Sequence, residues 1–207
     1  GPLIDSRRIA AAGFSLGGYT ALALAGVRVD LDVMQKYCEA NPDSPSCTLP
    51  PEAPFMLDEI EGLAASDADF QASMARHGDS YRDDRIRSVF AIAPVVAAAM
   101  TTRSLEGVSI PVRIVVGTED EQAIPEHNAV RIASHIPSAE LVLLPGVAHY
   151  TFLARCGAMG RALAGPLCED PPGIDRAEIH KRVADDAASF LMRSFIEPRR
   201  PPRLDTR

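Results

Sequence analysis

Four short apolar runs punctuate the chain, and each stops at a glycine or a proline. They are residues 8–13 (RIAAAG), 86–93 (IRSVFAIA), 112–117 (VRIVVG) and 140–144 (ELVLL). The runs are near-continuous rather than strictly alternating, which is the pattern of strands covered on both faces. Between them the apolar period becomes helical. Residues 16–25 are rich in Ala and Leu and stop at Gly26, a C-terminal cap residue. Residues 125–135 open with a proline at a first helical position. In 175–195, Ile179, Val183, Ala187, Phe190 and Leu191 share one helix face. Strands alternating with helices predict an α/β fold of about four parallel strands with right-handed crossovers and flanking helices.

Residues 28–85 interrupt the alternation. They hold Pro50, Pro51 and Pro54, few β-branched residues, and 13 acidic against 5 basic side chains. The segment reads as a cap-like helical insertion above the sheet. The expected organisation is therefore strand, turn and helix over 1–27, insertion over 28–85, the rest of the α/β domain over 86–196, and a disordered tail over 197–207. Met34, Phe55, Met56, Leu57, Phe70 and Met74 either line a pocket under the insertion or are plain core.

Charge and composition narrow the partners. A net charge of −7 opposes binding to nucleic acid and to anionic membrane surfaces. No apolar run approaches the roughly 18 residues of a membrane span. The four cysteines form two local pairs, Cys38 with Cys47 and Cys156 with Cys168, in segments rich in Pro, Gly and Ser. Neither pair has metal-binding C-x-x-C spacing. An even count in loops favours two small disulfides and an oxidising compartment; four reduced thiols are the alternative.

The chemistry centres on G-F-S-L-G, residues 13–17, at the junction of the first run and the helix after it. This is the G-x-S-x-G pattern in the strand–turn–helix setting it requires. A sharp, strained turn lifts the Ser15 hydroxyl above the sheet, and the glycines at 13 and 17 give the turn room. The Leu16 N–H, next after the serine, is placed to donate to an oxyanion, and the helix N-terminus favours negative charge there. A serine needs a base, and the base an orienting acid, in the chain order Ser, Asp or Glu, His. The third run ends in GTEDE, which supplies Asp120 as the acid between Glu119 and Glu121. The fourth ends in PGVAH, which supplies His149 as the base. His77, His127, His135 and His180 follow no strand and read as surface or packing residues.

These stretches resemble the α/β-hydrolase superfamily. GFSLGGYTALALAG, GTEDEQAIP, GVAHYTFLARC, LCEDPPGIDRAEIH and the paired cysteines are similar to the bacterial predicted dienelactone hydrolase group, related to platelet-activating-factor acetylhydrolases. The resemblance implies Ser15 as nucleophile, Asp120 as acid, His149 as base, disulfides Cys38–Cys47 and Cys156–Cys168, and a secreted or periplasmic location. True dienelactone hydrolases use a cysteine nucleophile. With serine in that place, the resemblance implies a carboxylesterase acting on a small-molecule ester, neutral or lipid-like, with no metal or organic cofactor. An amidase or peptidase with the same triad, or a non-catalytic binding protein on the same fold, are the other readings.

Such a sheet normally has about four strands ahead of the nucleophile, and here Ser15 stands near the first residue. A strand at 8–13, apolar on both faces, invites aggregation as an open edge. The expectation is that these residues are the C-terminal portion of the fold, with an N-terminal segment or second chain completing the sheet and supplying the second oxyanion donor.

Overall fold

The four apolar runs become four parallel strands: β1 (Ile9–Phe14), β2 (Ile86–Ile92), β3 (Val112–Gly117) and β4 (Ala139–Leu144). A computed structural model describes residues 5–48 and 55–196 of the chain. The tail expected at 197–207 and Pro50, Pro51 and Pro54 lie outside the described residues. The spatial order is β1-β2-β3-β4, every neighbouring pair parallel. Each connection must therefore cross one face of the sheet, and helices make those crossings. β1 pairs with β2 along one edge; among the described residues no strand lies along its other edge.

The strand period sorts side chains into two cores. Val89, Ala91, Ile114 and Val116 face one core with Ala11, Ala21 and Leu22. Phe90 and Val115 face the other, against Val183 and Phe190 of the last helix. That helix, α9, spans Arg176–Ile196 and uses the face read from its spacing: Ile179, Ala187 and Leu191 flank the two buried residues. Burying a Phe or Val side chain is worth about 1.5–3 kcal/mol, so this face anchors the helix to the sheet. Arg113 on β3 adds ion pairs to Glu140 on β4 at 2.7 Å and to Asp186 on the helix at 2.6 Å.

The first helix, α1 (Leu16–Leu24), ends as its Gly26 predicts. Gly26 has φ +108°, its N–H reaches the Ala23 carbonyl at 2.9 Å, and the Val27 N–H reaches the Leu22 carbonyl at 3.1 Å. These two bonds satisfy the open carbonyls of the last turn. Residues 28–85 then supply α2 (Leu31–Ala40), α3 (Met56–Ser66) and α4 (Ala68–Met74). Asp30 Oδ1 caps α2 by accepting from the Asp32 and Val33 N–H groups, and Asp67 caps α4 through the Phe70 N–H. α2 packs on a 3-10 turn at Ala97–Ala99, just past β2, and its Met34 packs against the core. Phe55, Met56, Ile60, Leu63 and Met74 are instead exposed, so plain core is the wrong account of Phe55, Met56 and Met74.

Past β2 come α5 (Thr102–Glu106), β3, and the helical stretch begun at Pro125. Its first part, Glu126–Val130, winds as a π-helix before α6 (Arg131–His135) takes over. The Val130 N–H bonds the Pro125 carbonyl at 2.8 Å, and the widened turn carries the buried Asn128, whose Oδ1 accepts from the Ala97 N–H at 3.3 Å. α7 (Ala158–Leu163), α8 (Gly165–Cys168) and α9 complete the order. No described helix is long and apolar enough to cross a membrane.

Both cysteine pairs are joined. Cys38–Cys47 ties the end of α2 to the 3-10 turn Pro45–Cys47, and Cys156–Cys168 ties the chain before α7 to the end of α8. Peptide mass mapping of non-reduced protein should return these two local cross-links. In the chain-entropy account each short loop stabilises by about 2–3 kcal/mol. Four alkylatable thiols in protein from an oxidising compartment would contradict both bonds.

Candidate active site

Ser15 sits at the junction of β1 and α1 with φ +54° and ψ −117°, outside the regions an L-residue prefers. Such a backbone costs on the order of 1–3 kcal/mol and persists only when its surroundings impose it. The Ser15 N–H is tied to the Ile92 carbonyl at the end of β2 at 2.8 Å, and the Ser15 carbonyl accepts from the Tyr19 N–H at 3.1 Å. The residue is thus bonded on both sides while its side chain projects past the strand ends. Leu16 opens α1, where first-turn N–H groups have no acceptor inside the helix and can donate outward.

The glycines around the turn are not equivalent. A Cβ on Gly13 would lie 2.1 Å from the Gly17 carbonyl oxygen. A Cβ on Gly18 would come within 3.1 Å of Pro94 Cα, so α1 packs closely on the chain after β2. A Cβ on Gly17 would meet nothing within 4 Å. The expectation that Gly17 must be small is therefore corrected: Gly17 contributes its backbone to the crowding at Gly13, while its own Cβ direction points into open space. At Gly117, which the sequence pattern marks only as the end of the third run, a Cβ would lie 1.9 Å from the Val147 carbonyl oxygen. Gly13→Ala and Gly117→Ala should each lower stability in urea melts by about 2–3 kcal/mol, because backbone must move. Gly17→Ala should be neutral or stabilising by up to about 1 kcal/mol, since alanine is the better helix former. The reverse ranking would refute this steric account.

The close approach at Gly117 brings together the loops after β3 and β4. The Thr118 and Glu119 N–H groups donate to the Leu144 and Val147 carbonyls, each at 3.0 Å, and the Gly146 N–H donates to Thr118 Oγ1 at 2.9 Å. Those loops carry Asp120 and His149. Asp120 Oδ2 lies 2.8 Å from His149 Nδ1, and His149 Nε2 lies 3.0 Å from Ser15 Oγ. The three side chains chosen from the sequence therefore stand in one hydrogen-bonded line, 134 residues apart at its longest step. Asp120 Oδ1 also accepts from the Gln122 N–H at 3.1 Å and the Ala123 N–H at 2.6 Å. Asp120 is 3% exposed and His149 5%, while Glu119 and Glu121 are exposed. The tautomer that satisfies the line has Nδ1–H donating to Asp120 and Nε2 accepting from the serine hydroxyl.

Rings and turns fix the imidazole from outside the line. Phe14 packs against it at 4.7 Å between centroids, with Phe152 behind Phe14 at 5.8 Å. His149 opens a 3-10 turn, His149–Phe152. On α1, burial raises the Tyr19 phenol above its ordinary range, with Tyr81 adding to the rise. Among the described residues no group of three or more His, Cys, Asp or Glu is arranged to hold a metal ion.

The family model of the alpha/beta hydrolases matches residues 2–164. The chain belongs to the alpha/beta hydrolase family. The matched span includes Ser15, Asp120 and His149, and the four parallel strands with flanking helices are this hydrolase's version of the fold. Among solved structures, the hydrolase is similar to a monoacylglycerol lipase from Paleococcus ferrophilus, at 19% identity and a TM-score of 0.38, over 86% of this chain and 67% of that one. No curated protein sequence matches it.

Two features near the site carried no readable signal. Ala93 and Val96, just after β2, have φ of +43° and +67°, and for a β-branched residue such a backbone is unusual. Arg131 holds this strained stretch by donating to the Ala97 carbonyl at 2.5 Å and to the Met100 carbonyl at 3.2 Å.

Proposed function

We propose that the protein is a serine hydrolase of carboxylic esters, with Ser15 as nucleophile, His149 as general base and acid, and Asp120 as the group that orients the histidine. The hydrogen-bonded line from Ser15 through His149 to Asp120 carries this reading. In the first half-reaction Ser15 Oγ attacks the ester carbonyl carbon and its proton passes to His149 Nε2. The resulting oxyanion accepts a hydrogen bond from the Leu16 N–H, at the positive end of α1. The C–O bond to the alcohol breaks and the alcohol leaves with the proton from Nε2. In the second half-reaction Nε2 takes a proton from water, the hydroxide attacks the acyl-enzyme, and the carboxylic acid leaves as Ser15 recovers its proton. The negative carboxylate of Asp120 stabilises the imidazolium in both halves.

The substrate read here is an ester with an apolar acyl part. Met56, Ile60 and Leu63 lie at positions i, i+4 and i+7 of α3 and are exposed, together with Phe55 and Met74. An apolar helix face of this kind, in a segment read as a cap, suits lipid-like substrates better than sugars or charged peptides. The finer kinship, to the bacterial predicted dienelactone hydrolase group, remains part of the same proposal. So does a secreted or periplasmic location, which two disulfides favour.

A panel of p-nitrophenyl esters of rising acyl length, run beside fluorophosphonate labelling, tests the reading. Ester turnover and labelling at Ser15 are expected, with kcat/KM rising from acetate toward medium chains. Labelling without turnover of any ester would favour a binding protein on this fold. Faster turnover of anilides than of esters would favour an amidase.

A further inference from the structure

We propose that His180 is a positioning residue for His149, acting through the backbone of the turn that carries it. The inference rests on the catalytic reading of Ser15 and His149 given above. His180 Nε2 lies 2.8 Å from the Thr151 carbonyl oxygen, two residues past His149. A carbonyl only accepts, so the ring carries its proton at Nε2 and donates. The turn His149–Phe152 closes on itself through the Thr151 N–H to the Ala148 carbonyl at 3.2 Å and the Leu153 N–H to the Tyr150 carbonyl at 3.0 Å. The bond from His180 joins this turn to α9.

One helical turn earlier on α9, Arg176 makes a parallel attachment. It is 6% exposed, pairs with Asp170 at 3.0 Å, and donates to the Ala154, Leu167 and Glu169 carbonyls. α9 thus grips the chain after His149 at two carbonyls, Thr151 and Ala154. The helix is itself fixed to the sheet by Val183 and Phe190. Rigidity passes from the sheet through α9 and His180 into the turn, and so to the 3.0 Å gap between Nε2 and Ser15 Oγ. Asp120 sets the direction of the imidazole; the turn sets how far it stands from the serine. A shift of about 1 Å at such a gap is worth on the order of 10²-fold in rate. α9 follows the residues matched by the family model, which end at 164.

Kinetics of the full chain test the proposal, with Ser15→Ala run alongside. His180→Ala should lower kcat by about 10–30-fold with KM within about twofold and only a few degrees lost in Tm. Gln and Met have similar length, but only Gln donates a hydrogen bond. His180→Gln should therefore keep kcat within about threefold of wild type, and His180→Met should fall with the alanine variant. The Gln-to-Met ratio reads the bond even if the alanine variant does not fold. Equal kcat for Gln and Met, or wild-type kcat in His180→Ala, overturns the proposal while an inert Ser15→Ala leaves the catalytic reading standing. An active Ser15→Ala overturns the catalytic reading itself.

Discussion

Ser15→Ala is expected to lower kcat by about 10⁴-fold or more with the fold intact. Alanine removes the oxygen that attacks the carbonyl in this reading, and with it the acyl-enzyme. The structural cost should be small. The strained backbone at 15 is imposed by the bond to the Ile92 carbonyl and by the crowding at Gly13, neither of which involves the hydroxyl. Losing the hydroxyl leaves His149 Nε2 without its serine partner, in a ring that Asp120 and Phe14 still hold. Circular dichroism and thermal melts of the variant should match the wild type, and fluorophosphonate labelling should vanish. Esterase activity within tenfold of wild type would remove Ser15 from the mechanism.

The fold was legible because the two inner strands, β2 and β3, are buried on both faces; β1 and β4, at the ends of the order, are only partly covered, so the reading of all four runs as doubly buried is corrected there. Near-continuous apolar runs such as VRIVVG have no competing surface reading, and the order of such runs with helices between them dictates crossovers. The long helix at 176–196 was legible for the complementary reason: Val183 and Phe190 repeat at the helical period against a single partner face. The π-wound turn at 126–130 was not. Its cause lies in tertiary bonding, with Asn128 reaching the Ala97 N–H 31 residues away.

The candidate site shows the same division. Ser15, Asp120 and His149 announce themselves because each follows a strand that the hydrophobic pattern reveals. Gly117 announces nothing, since its need for a missing Cβ arises from Val147 on another loop. His180 follows no strand, so its sequence context points only to packing or the surface. Its bond to the Thr151 carbonyl comes from α9 packing across the turn, and helix packing against a loop leaves no periodic trace in sequence. A single-residue rule finds groups that act at strand ends. Groups that act by holding another loop emerge only once elements are placed against one another.

The exchange of Asp120 for asparagine is expected to cost on the order of 10³–10⁴-fold in kcat, by forcing the wrong tautomer on His149. The argument turns on the other oxygen of the carboxylate. Oδ1 accepts from two backbone N–H groups, those of Gln122 and Ala123, so that position must remain an oxygen. An asparagine satisfying both donors has to place its NH₂ where Oδ2 stood, facing His149 Nδ1. Two donors cannot share that contact, so Nδ1 gives up its proton and accepts, and Nε2 becomes the protonated nitrogen. It then points an N–H at Ser15 Oγ and cannot take the serine proton. The side chain keeps its shape and its backbone bonds, so Tm should change by only a few degrees. Glu119→Gln and Glu121→Gln should each cost less than about tenfold, because both carboxylates are exposed and neither touches the histidine. The measurement is kcat for all three variants on one ester at the pH of maximal activity. A loss at Glu119 or Glu121 that exceeds the loss at Asp120 would move the orienting acid to that neighbour. A ratio near one across all three would mean that His149 finds its tautomer without a carboxylate, and the hydrogen-bonded line would be structural.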